Sequence, residues 1–354
     1  MKQCYLYEKR DCLKVKCAAC SHRCIIDDGK RGICGVRKNI KGELYSLVYD
    51  KVLGLAVDPV EKKPLFHFMP GSSILSFGTP GCNFRCMFCQ NYDMSQSPRE
   101  SGEKGISGES ISPKEIVDYA IKNKIPCIAY TYNEPAVFIE LAYDTAKLAH
   151  KAGLKNVYVT NGYETKEALE LMKPYIDAMN IDLKSFSDEF YKRVCGARLQ
   201  PVLDTIKLSH EMGFWIEITT LIIPGENDSK KELTQIAEFV ASVDKNMPWH
   251  VSRFRPMYKM LDKPITPEKT LMEAYEIGKK AGLKYVYVGN ILTKDKENTY
   301  CPKCNELLVD RKAFSVVDNK IKVIKDKKKD AKSNKQNKSI AKCPICDEYI
   351  AGIF

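Results

Sequence analysis

The chain has 354 residues, 44% of them hydrophobic, a net charge of +11 and fifteen cysteines. That is enough apolar material for one large domain with appendages, and no uncharged apolar stretch of about 18 residues is present to cross a membrane. Residues 320–342 hold ten lysines against Asp326 and Asp330, so +8 of the charge is local and the body carries +3. The lysine run reads as a solvated loop rather than a polyanion site, which leaves nucleic acid outside the expected partners.

The amino terminus, MKQCYLYEKRDCLKVKC, has no apolar core of a signal peptide, so a cytoplasmic setting is the default. In a reducing compartment, clustered cysteines are metal ligands more often than disulfides, and eleven of the fifteen fall into three clusters. The first cluster lies in a Cys-rich extension, residues 1–69. Cys17, Cys20, Cys24 and Cys34 offer four soft ligands, with Cys12 and His22 nearby. A closed structural zinc site is the first expectation for this set, with an additional iron–sulfur cluster as the alternative and no metal as the third.

Residues 70–295 carry the fold signal. Near-continuous apolar runs occur at 73–79, 127–132, 156–161, 178–184, 214–223, 250–254 and 284–289, the pattern of strands buried on both faces. Helical patterns alternate with them at 113–123, 136–153, 165–173, 201–213, 229–243 and 268–282. Ser112 and Pro113 open the first, and Gly153, Gly213 and Gly282 sit where C-caps belong. The alternation predicts an α/β fold of parallel βαβ units, a partial (β/α)6 TIM-like barrel, with a doubly wound open sheet as the alternative. In such a barrel, functional groups gather at the carboxyl ends of the strands.

The second cluster follows the first strand directly. Cys82, Cys86 and Cys89 have C-x3-C-x2-C spacing within GTPGCNFRCMFCQN. Three thiolates can hold three irons of a [4Fe–4S] cluster and leave the fourth open. Cys127 starts a strand on the opposite face, and Cys195 is the rival fourth ligand; it reads as a small buried residue first and as a hydrogen-atom relay second. The third cluster, Cys301, Cys304, Cys343 and Cys346, forms two C-x-x-C knuckles in residues 296–354. Paired knuckles predict a zinc-ribbon-like module with a lysine-rich loop, with rubredoxin-like iron as the runner-up occupant.

The cysteine motif, with Phe88 before its last member, resembles the radical S-adenosylmethionine (SAM) signature. The runs DPVEKKPLFHFMPGS, CQNYDMSQ, YTYNEP, DLKSF, CGARLQPVLDTI and SRFRPMYKM make the chain similar to the pyruvate formate-lyase activating enzyme group, and within it to the radical SAM enzyme of the AmmeMemoRadiSam system. The resemblance implies a [4Fe–4S] cluster, SAM, a 5′-deoxyadenosyl radical, a one-electron donor such as reduced ferredoxin or flavodoxin, and two companion proteins. It implies that Glu134, in a TYNEP run that replaces Gly-Gly-Glu-Pro by Tyr132, Asn133, Glu134 and Pro135, meets the SAM ammonium. Asn161 belongs to a Thr-Asn-Gly-like run. Lys184 is expected at the SAM carboxylate and Asp182 near a monovalent cation. Gly225 and His250, read as ending later strands, are expected along the adenosine. The substrate is left open, a glycyl-radical enzyme or a small molecule. The reading from another class is a zinc-ribbon protein that binds nucleic acid.

Overall fold

The computed structural model describes residues 1–325 and 339–354. The centre of the expected lysine-rich loop, residues 326–338, lies outside the described residues. The barrel strands are β1 (Lys51–Pro59), β2 (Ser73–Gly78), β3 (Cys127–Tyr130), β4 (Lys155–Thr160), β5 (Ala178–Asp182), β6 (Trp215–Ile222), β7 (Trp249–Arg253) and β8 (Val286–Gly289). The helices between them are α1 (Pro113–Lys122), α2 (Ile139–Lys151), α3 (Lys166–Met172), α4 (Leu199–Glu211), α5 (Lys230–Val243) and α6 (Glu268–Lys280).

Strands β2 to β8 pair in chain order, each parallel to the next. An order without reversal excludes the doubly wound alternative, whose sheet turns back at a switch point. The result is six β–α units and a seventh parallel strand. The sheet stays open: β8 is one edge, and the antiparallel β1, with the two-residue strand Glu109–Ser110 beyond it, forms the other. β1 emerges from sequence expected to belong to the extension.

Local chemistry explains the elements. All four residues of β3 are buried, as are the first four of β5. A Ser112–Glu115 capping box with Pro113 behind it starts α1, and the Thr165 and Ser229 side chains cap α3 and α5. Gly153, Gly213 and Gly282 take the left-handed backbone after α2, α4 and α6. No helix among the described residues is long and apolar enough to cross a membrane.

The two ends of the barrel differ. At the amino ends of the strands, the segment after β1 folds underneath. There the Glu217 carboxylate accepts the backbone N–H groups of Phe66 and His67, the Trp215 indole N–H and a bond from His250 Nε2. The ribbon docks on the same end, where Ile353 N donates to His67 O, Met69 N donates to Ile353 O, and His67 Nδ1 lies 2.6 Å from Ala351 O. Burial pushes the His67 imidazole down to about 4. Burial would raise Glu217, but the His250 hydrogen bond and charge hold it below the usual carboxylate range.

Candidate active site

The loop 79–91 leaves the carboxyl end of β2. Asn133, just past β3, braces it: Asn133 Nδ2 donates to Gly81 O (2.6 Å) and Thr79 Oγ1 (3.2 Å), and its Oδ1 accepts from Thr79 N (3.3 Å). Gly81 has φ +88°, and a Cβ there would lie 2.6 Å from Val36 Cγ1, so this turn needs glycine. On the far side, Arg85 N donates to Cys195 O and Met87 N to Val194 O, while Lys259 N donates to Met87 O. The cysteine loop is therefore held by backbone bonds to two other loops.

Cys82 and Cys86 are buried, and Cys89 is half-buried with its Sγ 3.3 Å from Ser95 Oγ. Burial, then the nearby Glu134 carboxylate, pushes the Cys82 thiol well above its ordinary range, so it ionises when a metal replaces its proton. Cys195 ends a π-helical turn, Tyr191–Cys195, and the nearness of its thiol, with burial, pushes the Cys86 thiol up. It is fully buried beside the cysteine loop. Cys127 is at the other end, with its Sγ 3.5 Å from Met69 Sδ.

The charged residues of the site follow β5. Lys184 Nζ is 2.9 Å from Asp182 Oδ2 and 5.6 Å from the Phe88 ring centroid. Burial alone would pull Lys184 down; Asp182 and the thiols of Cys86 and Cys195 hold it well above the usual ammonium range. Asn227 Nδ2 donates to Lys184 O (2.6 Å) and Leu221 O (2.9 Å), tying this loop to the one after β6. Gly225 lies in that second loop, exposed, with φ +74° and its N–H donating to Asp228 Oδ1.

Two expectations change. Glu134 does not offer a free carboxylate to an ammonium. It is fully buried, and its oxygens accept from Ala136 N (3.0 Å), Thr160 Oγ1 (3.0 Å to each) and Asn161 N (2.8 Å). The Thr160 hydroxyl is also 2.6 Å from Glu164 Oε1. Burial, then the facing Glu164, pushes Glu134 well up, and burial pushes Glu164 up. Glu134 thereby fixes the backbone of Asn161. His250 is the second correction. It is the second residue of β7, paired in register with Thr219 and Tyr287, and its ring bonds Glu217 at the amino end of the barrel. The carboxyl end of β7 leads instead to residues 254–260, where Tyr258 stacks on Tyr92 at 4.7 Å and Lys259 meets the cysteine loop.

The Tyr132 substitution resolves differently. Tyr132 adopts φ +71°, a left-handed conformation that glycine favours. Its ring packs on Gly54, with Lys63 Nζ 4.8 Å from the centroid.

The residues fit the cluster and cosubstrate that the motif implies. Asn161 Nδ2 donates to Asn83 Oδ1 (2.7 Å) and lies 4.0 Å from Cys82 Sγ. Asn161 Oδ1, Asn83 Nδ2 and Glu164 Oε2 are buried without partners. Such orphaned polar atoms beside thiols mark a place where a polar group belongs. Asn83, Glu164 and Asn227 were missed from the sequence, since nothing in their spacing distinguishes them from loop residues.

The ribbon's four sulfurs lie within 4.8 Å of one another, with Cys301–Cys346 at 3.5 Å and Cys304–Cys343 at 3.6 Å. Bond lengths of ~2.3 Å to zinc put tetrahedral sulfurs ~3.8 Å apart, so the set has the spacing of a single ion.

Residues 77–240 match the model of the Radical SAM superfamily. The uncharacterized protein MJ0808 of Methanocaldococcus jannaschii is 47% identical over 316 residues, 89% of this chain and 93% of its own length. A putative glycyl-radical enzyme activating enzyme of the same organism, MJ1632, is 28% identical over 210 residues, 57% of this chain and 75% of its own. A solved domain of pyruvate-formate lyase-activating enzyme from Bacteroides vulgatus superposes with a TM-score of 0.41 at 22% identity, covering 46% of this chain and 98% of that chain. The chain belongs to the radical SAM superfamily, whose members use a [4Fe–4S] cluster and SAM.

Proposed function

We propose that this chain cleaves SAM reductively at a cluster held by Cys82, Cys86 and Cys89 and uses the radical to abstract hydrogen from a substrate. The bound cluster and SAM together supply the chemistry, one electron breaking the S–C5′ bond to give methionine and a 5′-deoxyadenosyl radical. The observation that carries this reading is the meeting of three loop thiols with the orphaned amides of Asn83 and Asn161 at the carboxyl ends of the strands.

The chain's own residues bind and orient. Lys184, cationic and held by Asp182, is suited to the SAM carboxylate, and Asp182 to a neighbouring cation. Asn161, fixed by Glu134, and Asn83 offer a free carbonyl and a free N–H to the polar end of SAM. Phe88 and the loop carrying Gly225 border the nucleoside side. Burial of Cys82 and Cys86 keeps water from the thiolates. A reduced ferredoxin or flavodoxin is the donor class, and the fifteen free cysteines suit a reducing cytoplasmic setting. The companion proteins of the AmmeMemoRadiSam system are proposed partners on the strength of the sequence runs alone. One observation favours a glycyl-radical activase as second reading, the similarity to MJ1632 over 57% of the chain.

The test is anaerobic reconstitution with iron and sulfide, then reduction with SAM. Wild-type protein yields 5′-deoxyadenosine and Cys86→Ala yields none while keeping its ribbon metal. Reconstituted wild type that never cleaves SAM refutes the proposal. Deuterium carried from a candidate substrate into 5′-deoxyadenosine identifies the substrate, and a glycyl radical on a co-incubated protein selects the second reading.

A further inference from the structure

The extension folds its four cysteines against the active site. Cys17, Cys20, Cys24 and Cys34 line one cavity with Arg37, Asn83 and the apolar Ala19, Ile26, Ile33 and Val137. Arg37 is 2% exposed; one nitrogen pairs with Glu140 at 2.7 Å, while Nε and Nη1 are buried without partners. A guanidinium with two unpartnered nitrogens beside four thiols suits an anionic centre.

Spacing identifies the class of centre. Among the described residues, the ribbon's set is the group of thiols that closes to within 4.8 Å, as ligands of one ion do. The extension's four line one cavity without forming such a close group, and neither do Cys82, Cys86 and Cys89. Cys17 and Cys34 are buried and Cys20 and Cys24 half-buried, whereas Cys304 of the ribbon is exposed. Four thiols around a largely apolar cavity, not drawn together as the ribbon's are, suit an inorganic cluster better than a single zinc.

The two sets adjoin. Asn83, next to Cys82, lines the extension's cavity, and His22 Nε2 is 3.0 Å from Asn83 O. Arg99 bridges them, Nε donating to Ile33 O (2.8 Å) and Nη2 to Cys82 O (2.5 Å).

We infer that Cys17, Cys20, Cys24 and Cys34 hold a second [4Fe–4S] cluster that passes single electrons to the first. With four thiolates its irons have no open position, so it stores an electron rather than binding SAM. One electron arrives from a reduced low-potential iron–sulfur or flavin protein and reduces the second cluster; the same electron leaves for the first, and the second returns to its oxidised state. The relay rests on the proposed SAM cleavage, whereas the cluster itself does not.

The decisive protein carries Cys82→Ala, Cys86→Ala and Cys89→Ala. After anaerobic reconstitution it retains about four iron and about four acid-labile sulfide per chain beyond the ribbon ion. On reduction it gives a paramagnetic signal that SAM leaves unchanged. Retention of the ribbon metal without labile sulfide, or a second zinc in its place, overturns the inference. This result does not depend on SAM cleavage, so it separates from failure of the proposed function. The Cys20→Ala, Cys24→Ala protein then loses 5′-deoxyadenosine formation driven by reduced flavodoxin and keeps the dithionite-driven reaction. Wild-type rates with both donors overturn the relay. Cys12→Ser, at an exposed cysteine, changes neither metal content nor signal.

Discussion

Replacing Tyr132 by glycine and by alanine separates the backbone at that position from its ring. Both variants lose the packing on Gly54, the cation over the ring and the hydroxyl contact with Asp58 at 3.4 Å, so both fall below wild type. They differ in a single Cβ on a residue with φ +71°. A Cβ in the left-handed region costs roughly 1–2 kcal/mol, and the greater freedom of unfolded glycine offsets roughly 0.5–1 kcal/mol of that. Glycine is therefore expected to be the more stable variant by ~0.5–1 kcal/mol, the reverse of the ordinary order. The assay is urea unfolding of the iron-free protein followed by fluorescence of Trp249, which is buried in the barrel. With a slope of ~3 kcal/mol/M, the glycine midpoint lies ~0.2–0.3 M higher. Equal midpoints, or alanine above glycine, refute a left-handed Tyr132.

Further outcomes follow from the opposite end of the barrel. His67 is buried neutral, with its pKa pushed down to about 4 from an ordinary ~6.5. Between those values the unfolded chain binds the extra proton, so stability is full above pH ~6.5, falls as pH drops, and has lost about 3 kcal/mol below pH ~4. A His67→Gln protein has a flatter melting curve against pH over that window, and an unchanged slope sinks the argument. Chelating the ribbon ion should loosen the tail from His67, because structural metal supplies much of the folding energy of so small a module. Trp215 packs against the cluster of Phe66, Tyr285, Tyr287 and Ala351, so chelation shifts Trp fluorescence to the red and Trp215→Phe abolishes most of that shift. An identical shift in Trp215→Phe places the change elsewhere.

The legible part of this protein was local. Burial on both faces writes continuous apolar runs, and β2 to β8 appear where those runs fall. The C-x3-C-x2-C loop and the two knuckles are equally local, since their ligands come from short turns. Depth within the barrel was not legible. Periodicity placed His250 in a strand, but pairing with Thr219 and Tyr287 set it at the amino end against Glu217. Likewise an acidic residue after β3 looks available until Thr160 and Asn161 arrive from β4 to take its oxygens.

The same division governs the metal sites. Sequence alone determined that three groups of thiols exist and that one of them opens a strand–loop unit. Only the tertiary structure decided their company: the ribbon closes to single-ion distances, while the extension's four thiols line a largely apolar cavity beside Arg37 and Asn83. Residues 46 and more positions apart in the chain, such as Arg37 and Asn83, share that cavity because the extension docks on the loop after β2. Ligand identity is a property of residue type, which the chain writes down; ligand separation and shared charge depend on packing between segments, which no single segment encodes.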